Sequence, residues 1–307
     1  MKLSVVIPVY RSEGCLEELH RRLSASLGNL VDDFEIILVD DGSPDASWRT
    51  IRDLSQSDSR VRGIRFSRNF GQHKAIAAGL HESRGEWVVI MDADLQDQPE
   101  EIPRLYAKAL EGFDVVLADR GSRQDSWAKK AFSWAFYKVF DFLSDSKSDP
   151  SVGTFRVMSR RAVDGFLQMK ERVRFFGGMV EWLGFSTAKI EVVHAARSAG
   201  ETTYGFRKSF NLALDAITAF SDRPLKMSIQ LGLLISTLSM LLALWLVYRK
   251  LVFGINAQGW TSVIVTTLFL GGLILLNQGI LGLYLGQVFE ETKQRPAYVL
   301  AERVGDE

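Results

Sequence analysis

Three acids follow an apolar run in VVIMDADLQDQPEEI, residues 88–102. Asp92, Asp94 and Asp97 stand at the mouth of a hydrophobic segment, where packing alone gives no reason for them. While a strand continues, positions 92 and 94 point to the same face. Two carboxylates held together repel unless something positive joins them. A divalent cation is the usual answer, and hard oxygen ligands suit Mg2+ or Mn2+ bridged to substrate phosphates. Asp92 and Asp94, with Gln96 next in the alternation, therefore form the candidate metal set. Asp97, Glu100 and Glu101 flank Pro99 and read instead as the start of a helix.

A second acidic pair, Asp40 and Asp41, precedes Gly42 and Ser43. A carboxylate there can accept hydrogen bonds from a base or a ribose, and the same residues also make a plain turn. Taken with the metal pair, they suggest a nucleoside diphosphate ligand. Neither a GxGxxG dinucleotide fingerprint after the first strand nor a GxxxxGK[ST] phosphate loop is present.

The elements that must position these acids are legible. Apolar, β-branched runs at 3–10, 35–43, 61–68, 86–94 and 114–120 alternate with helical patterns at about 13–27, 45–57, 72–83 and 99–111. Continuous apolar strands separated by helices predict a parallel sheet covered on both faces. Ligands of such sheets bind at the carboxyl ends of the strands, which is where the acids fall.

Composition changes near residue 226. Residues 227–248 and 260–289 contain no charged side chain, and each run is long enough to cross a bilayer. Tyr248 and Trp260 suit an interfacial belt. A short linker predicts a hairpin with both ends on one side. More Lys and Arg flank its outer ends (Arg207, Lys208, Arg223, Lys226, Lys293, Arg295) than its turn (Arg249, Lys250), which puts the large domain and both termini in the cytoplasm. Asn277 and Gln278 are expected to face a neighbouring helix, and the Gly282–Gly286 spacing permits homo-oligomer packing. Phe132, Phe136, Val139, Phe140 and Leu143 make an apolar stripe at 127–143, fitting an interfacial helix. The 37 basic and 37 acidic residues cancel, so a globally basic nucleic-acid binder is not indicated. Cys15 is the one cysteine, so no internal disulfide forms, and with four histidines a zinc cluster is not expected.

In order and spacing, VVIPVYRSE, DDGSPD, SRNFGQHKAIAAGL and MDADLQDQPE resemble family 2 glycosyltransferases of the GT-A fold. GTFRVMSR, FFGGMVEWLGF and RSAGETTYGFRKSFNLALDAITAFSDRPLK look like the same family's later segments. The tail GLYLGQVFEETKQRPAYV is similar to the polyprenyl-phosphate branch, which includes dolichyl-phosphate mannose synthase and bacterial undecaprenyl-phosphate sugar transferases.

The resemblance implies an α/β fold, a GT-A Rossmann-like, mostly parallel sheet with a C-terminal two-helix transmembrane hairpin. It divides the chain into a cytoplasmic domain at 1–225 with amphipathic helices at about 127–143 and 205–222, two membrane helices at about 227–248 and 262–286 within 226–289, and a cytoplasmic tail at 290–307. It implies inverting transfer of a sugar from a UDP- or GDP-linked donor to a polyprenyl phosphate at the inner membrane, for modification of a cell-envelope glycan or lipopolysaccharide. Pro8, Tyr10, Glu13, Asp40, Asp41, Arg68 and the loop from Asn69 to Lys74 would line the donor site, with Asp92 and Gln96 at its phosphates. Asp94, Thr154 and Arg156 would serve the reacting centre. Thr154 stands in GTFR where many relatives carry an acidic base in GDFR, and Asp149 is a candidate substitute. Arg120, Arg123, Arg197 and Arg207 are candidates for the acceptor phosphate, since Arg binds phosphate bidentately, although AGETTY lacks the Lys of relatives with GESKY. Two other readings stay open: a non-catalytic nucleotide-sugar-binding assembly protein, and a transferase acting on another lipid.

Overall fold

The structure, a computed structural model, describes residues 2–119, 152–169, 176–193, 221–253 and 259–305. The expected sites at Arg120, Arg123, Asp149, Arg197 and Arg207 lie outside the described residues, as do the helix at 127–143 and nearly all of that at 205–222.

The chain divides into two compact units. The first comprises Met1–Lys130, Ser148–Tyr204 and Arg295–Glu307, so it takes back the segment that follows the apolar helices. Its first half runs β1 (Leu3–Val9), α1 (Glu13–Gly28), β2 (Phe34–Asp40), α2 (Ser47–Ser57), β3 (Val61–Phe66), α3 (Gln72–Glu82) and β4 (Trp87–Ile90). A 3-10 turn at Pro99–Glu101 leads into α4 (Ile102–Leu110), followed by β5 (Val115–Asp119). Then come β6 (Val152–Ser159), α5 (Arg160–Gln168), α6 (Phe176–Trp182) and β7 (Thr187–Glu191). A last strand, β8 (Leu300–Val304), closes the unit.

These strands form one sheet in the order β7-β5-β6-β4-β1-β2-β3-β8. The pairs β1/β2, β1/β4, β2/β3 and β5/β7 are parallel, while β6 and β8 pair antiparallel to their neighbours. Every residue of β1 and β2 is buried, as their predominantly apolar patterns require of central strands covered on both faces. The buried leucines of α1 (Leu16, Leu19, Leu23, Leu27) recur every three or four residues and pack into the same core.

One buried acid is structural. Glu35, 1% exposed near the start of β2, accepts from Ser4 Oγ at 2.7 Å, from the Arg84 backbone N–H at 2.7 Å and from Arg62 Nη1 at 3.1 Å. Burying an unpartnered carboxylate would cost several kcal/mol, and these three donors offset that cost. They lie at the edge of the sheet opposite the carboxyl ends of β1–β4.

Segment 290–307, expected to be a tail, is partly a strand. β8 lies along β3, with Gly63 opposite Val304 and Phe66 opposite Leu300. Trp48 Nε1 donates to Glu302 at 2.8 Å, and Arg303 reaches Glu82 at 2.8 Å. Without β8 the main-chain groups of β3 would form an open sheet edge.

The second unit, Ala131–Lys147 with Gly205–Gln294, holds α7 (Arg223–Phe253) and α8 (Trp260–Thr292). At 1.5 Å per residue these helices are about 45–50 Å long, beyond the ~30 Å of a hydrocarbon core. Both expected spans fall inside them. Among the described residues, the apolar windows Arg223–Leu242 and Ser262–Thr292 contain none that is buried, the reverse of a soluble core helix. Leu233, Leu275 and Leu285 are each about 70% exposed. Asn277 faces the other helix, as expected, and accepts a hydrogen bond from Ser228. Tyr284 donates from its hydroxyl to the Ser221 carbonyl at 2.7 Å.

Candidate active site

Four adjacent parallel strands, in the order β4-β1-β2-β3, end at one edge of the sheet. The antiparallel β6 begins at that same edge, with Arg156 opposite Ile90 and Thr154 leading away from it. Sequence-distant residues thereby meet: Tyr10, Asp40, Asp41, the loop 67–71, Asp92, Asp94, Thr154 and Arg156.

The loops are laced to one another. Arg11 and Ser12 donate their backbone N–H groups to Ser43 Oγ and Ser47 Oγ at 3.2 and 3.1 Å. Glu13 accepts from the Ala46 backbone at 2.5 Å. Pro8 is buried inside β1, whereas Tyr10 is 42% exposed at its end, beneath the Arg11 guanidinium. Glu13 and Pro8 thus frame the edge, and Tyr10 offers it a surface.

Asp40 and Asp41 are also frame members. Asp40 is fully buried; its Oδ1 accepts from Ser43 N at 3.0 Å, and Oδ2 lies 3.3 Å from Arg65 Nε. Asp41, 3% exposed, accepts from the backbone N–H groups of Phe70 at 2.6 Å and Gly71 at 2.9 Å. Burial pushes both carboxyls above the ordinary carboxylate range, against the pull of these donors. Lys74 adds a favourable charge near Asp41. Asp41 therefore fixes the loop between β3 and α3. Arg68 and Asn69 are exposed on that loop, with the Arg68 guanidinium 4.6 Å over the Phe70 ring.

Gly42 makes this arrangement sterically possible. It sits at φ +66°, and a Cβ there would lie 2.5 Å from the Arg68 carbonyl carbon and 2.8 Å from Asn69 N. Both obstacles are backbone, so neither can rotate away. Gly42→Ala is expected to cost about 1–3 kcal/mol and to lower the thermal unfolding midpoint of the purified protein. An unchanged midpoint would mean the loop shifts freely.

The acidic turn after β4 differs from its expected form. The strand ends at Ile90, so Asp92 and Asp94 do not share a strand face; they flank a tight turn. Leu95 takes φ +61° with its side chain buried, and Gln96 N donates back to Asp94 Oδ1 at 3.1 Å. A non-glycine residue in the left-handed region is uncommon and costs about 1 kcal/mol or more. Here it sits between two candidate ligands. Asp97 is not a helix cap: the Gln98 N-cap has no side-chain cap bond, and the buried Asp97 carboxylate accepts from Asp92 N at 3.4 Å. Asp97 braces the turn from behind. Asp92 and Asp94 remain half-buried.

Two residues of the Asn69–Lys74 loop, expected to border the donor pocket, add to this edge. Gln72 Nε2 donates to Asp92 Oδ1 at 2.7 Å. His73 is held neutral, its pKa lowered to about 4 by burial and by the nearby Arg156 cation. Both lie in SRNFGQHKAIAAGL, and their place after the third strand was the available signal.

Arg156 is the buried cation of the site. It is 4% exposed, donates Nε to the Thr154 carbonyl at 3.1 Å and Nη2 to the Gly153 carbonyl at 2.8 Å, and lies 4.8 Å over the Phe176 ring. Burial lowers its pKa to about 10, and Asp92 offsets part of that fall. Thr154 brings no carboxylate to this edge.

Among the described residues, no group of three or more His, Cys, Asp and Glu could hold a metal ion alone. Two half-buried carboxylates and an amide at a strand end are a hard-oxygen set that fits Mg2+ or Mn2+ when ligand phosphates and water complete the shell.

Residues 4–167 match the model of the family described as Glycosyl transferase family 2. An uncharacterised glycosyltransferase of Synechocystis sp. is 40% identical over 99% of this chain and 96% of its own. The bactoprenol glucosyl transferase of Shigella phage SfX is 38% identical over 99% of this chain and 100% of its own. Among solved structures, glucosyl-3-phosphoglycerate synthase from Mycobacterium tuberculosis, in complex with Mn2+, UDP and phosphoglyceric acid, superposes with a TM-score of 0.50 at 18% identity, covering 71% of this chain and 76% of its own. That likeness establishes the GT-A type of fold.

Proposed function

This chain belongs to glycosyl transferase family 2, and from that premise we propose that it moves a sugar from a nucleoside diphosphate donor to the phosphate of a polyprenyl lipid, with inversion at the anomeric carbon. The observation that carries the donor half is the Asp92–Asp94 turn beside the buried Arg156 at the carboxyl edge of the sheet. The acceptor half rests on full-length similarity to a bactoprenol glucosyl transferase and on two long apolar helices in the same chain.

The donor's base and ribose lie against Tyr10 and the Asp40–Ser43 turn. Its diphosphate lies toward Asp92, Asp94 and Gln96, which would hold Mg2+ or Mn2+. When bound, that ion neutralises the charge that develops on the departing diphosphate. Arg156 contributes fixed positive charge beneath the same turn, in a setting where it needs no reorganisation. Gln72 and Asp97 hold the Asp92 side chain and backbone in place. The attacking group is an oxygen of the lipid phosphate, ionised at neutral pH. It therefore needs alignment more than proton removal, which accords with Thr154 in place of an acid. Backside attack on the anomeric carbon forms the new glycosyl–phosphate bond as the bond to the diphosphate breaks, and a single displacement inverts the centre.

The connectivity supports a double crossing of the membrane. β8, which comes after α8, belongs to the same sheet as the strands that precede α7. A chain that crosses the bilayer through α7 and α8 thus crosses twice and returns to the side it left. Arg223, Lys226, Lys293 and Arg295 at the outer ends, against Arg249 and Lys250 in the turn, support a cytoplasmic side. Bacterial polyprenyl phosphates carry envelope sugars, so the product would serve cell-envelope glycan or lipopolysaccharide modification.

The full-length protein, purified in detergent and given labelled nucleotide sugars, Mg2+ or Mn2+ and undecaprenyl phosphate, should move label into the lipid phase. Dephosphorylated undecaprenol should accept none. Tight nucleotide-sugar binding without transfer across the donor panel would leave a binding protein in place of an enzyme of this specificity.

A further inference from the structure

The segment that follows the second apolar helix reaches the donor loop. Within a few residues of the end of α8 at Thr292, Tyr298 lies on the first unit with its ring stacked on Phe66, centroids 4.9 Å apart and planes 13° from parallel. Phe66, 1% exposed at the end of β3, meets Phe70 edge-on at 5.7 Å. Phe70 is the residue whose backbone N–H Asp41 accepts at 2.6 Å. Beside this column of rings, the Val299 carbonyl accepts from Ser67 N at 2.9 Å, at the point where β3 gives way to the loop. The β3/β8 register is irregular between Arg65 and Phe66. The tail thus holds the loop twice, by main chain at its first residue and by rings at its anchor.

From this contact path we infer that Tyr298 is a positioning residue for donor binding, acting through Phe66 and Phe70 on the loop 67–74. The inference rests on the reading of this sheet edge as the donor site. Its physical content is separate from β8's general role in covering the sheet edge. The Arg303–Glu82 contact at the other end of β8 serves that general role alone, since antiparallel pairing puts Val304 beside Gly63, away from the loop.

The test compares the full-length protein with Tyr298→Ala, Tyr298→Phe and Arg303→Ala in two readouts. The first is hydrogen exchange of peptides covering 67–74. The second is donor KM against kcat in the lipid-transfer assay. Loss of the stacked ring in Tyr298→Ala should speed exchange of the Phe70 and Gly71 amides and raise donor KM by roughly three- to tenfold. The KM for lipid phosphate and kcat at saturating donor should hold. Tyr298→Phe keeps the ring and should stay closer to the unmodified protein than Tyr298→Ala in both readouts. Arg303→Ala should lower the unfolding midpoint without moving either readout. Where Tyr298→Ala does not fold, Tyr298→Leu keeps apolar volume without the ring and substitutes for it. Unchanged loop exchange on loss of the ring, or equal changes in Arg303→Ala, overturns the inference. Absence of any transfer by the unmodified protein instead defeats the functional reading, while the exchange measurement still decides the role of Tyr298.

Discussion

Asp94→Asn should reduce sugar transfer by on the order of 100-fold or more while leaving the thermal midpoint nearly unchanged. The substitution is isosteric. Asp94 Oδ1 accepts from Gln96 N, and an amide oxygen can accept the same bond, so the turn around Leu95 keeps its shape. What disappears is one negative charge from a site that must bind a divalent cation and a diphosphate. Because Asp92 remains and is held by Gln72, metal binding should weaken without vanishing. Raising the Mn2+ concentration should recover part of the lost rate, and metal titration of both proteins should show the displaced midpoint. Full transfer by Asp94→Asn at ordinary metal concentration would remove Asp94 from the reaction and put the cation, if one binds, elsewhere.

Arg156→Met should abolish most transfer, again on the order of 100-fold, and yet leave a protein at least as stable. The two effects separate because the cation is costly where it stands. Its pKa falls from the ordinary 12.5 to about 10, so the folded state gives up its proton more readily than the unfolded chain. At every pH below about 10 the arginine is charged in both states, and its burial opposes folding by about 3 kcal/mol. That cost diminishes only as the pH climbs past 10. Methionine fills similar apolar volume against Phe176 and removes the buried charge, a replacement of the kind that is often neutral or stabilising. The lost bonds to the Gly153 and Thr154 carbonyls set the limit of the gain. A thermal midpoint that rises or holds, together with lost transfer, marks Arg156 as a residue retained for chemistry. A collapsed midpoint would instead make it a structural clamp for the start of β6.

The glycine and tyrosine substitutions test the same edge through its frame. Gly42 allows the β2 turn to touch the loop after β3, and Tyr298 supports that loop from the other side.

Much of this arrangement is legible in the linear chain. The alternating apolar runs define the strands and helices of the first half because burial on both faces demands unbroken hydrophobicity. The acids at the ends of those runs point to the site because a parallel sheet gathers its strand ends along one edge. The two long charge-free stretches define α7 and α8 by length and hydropathy alone.

Other features depended on contacts between distant residues. Alternation within a strand could not reveal that β4 ends before Asp92, or that Leu95 turns the chain with positive φ. Asp97 looked like a helix start because its neighbours do, yet its carboxylate turns back to Asp92. Asp41 resembled a ligand by type, and the fold spends both of its oxygens on a neighbouring loop. The tail beyond α8 carried no strand signature strong enough to separate it from a polar extension; it becomes β8 because β3 offers it an open edge. Residue type, period and length therefore determined the class of fold, the apolar hairpin and the edge where chemistry belongs, since these follow from local burial and polarity. The tertiary structure decided which acids are spent bracing loops and which stay half-buried at the sheet edge, and it set Gln72 against Asp92 and Tyr298 against Phe66, since hydrogen bonds and ring contacts across long sequence separations exist only once the sheet has formed.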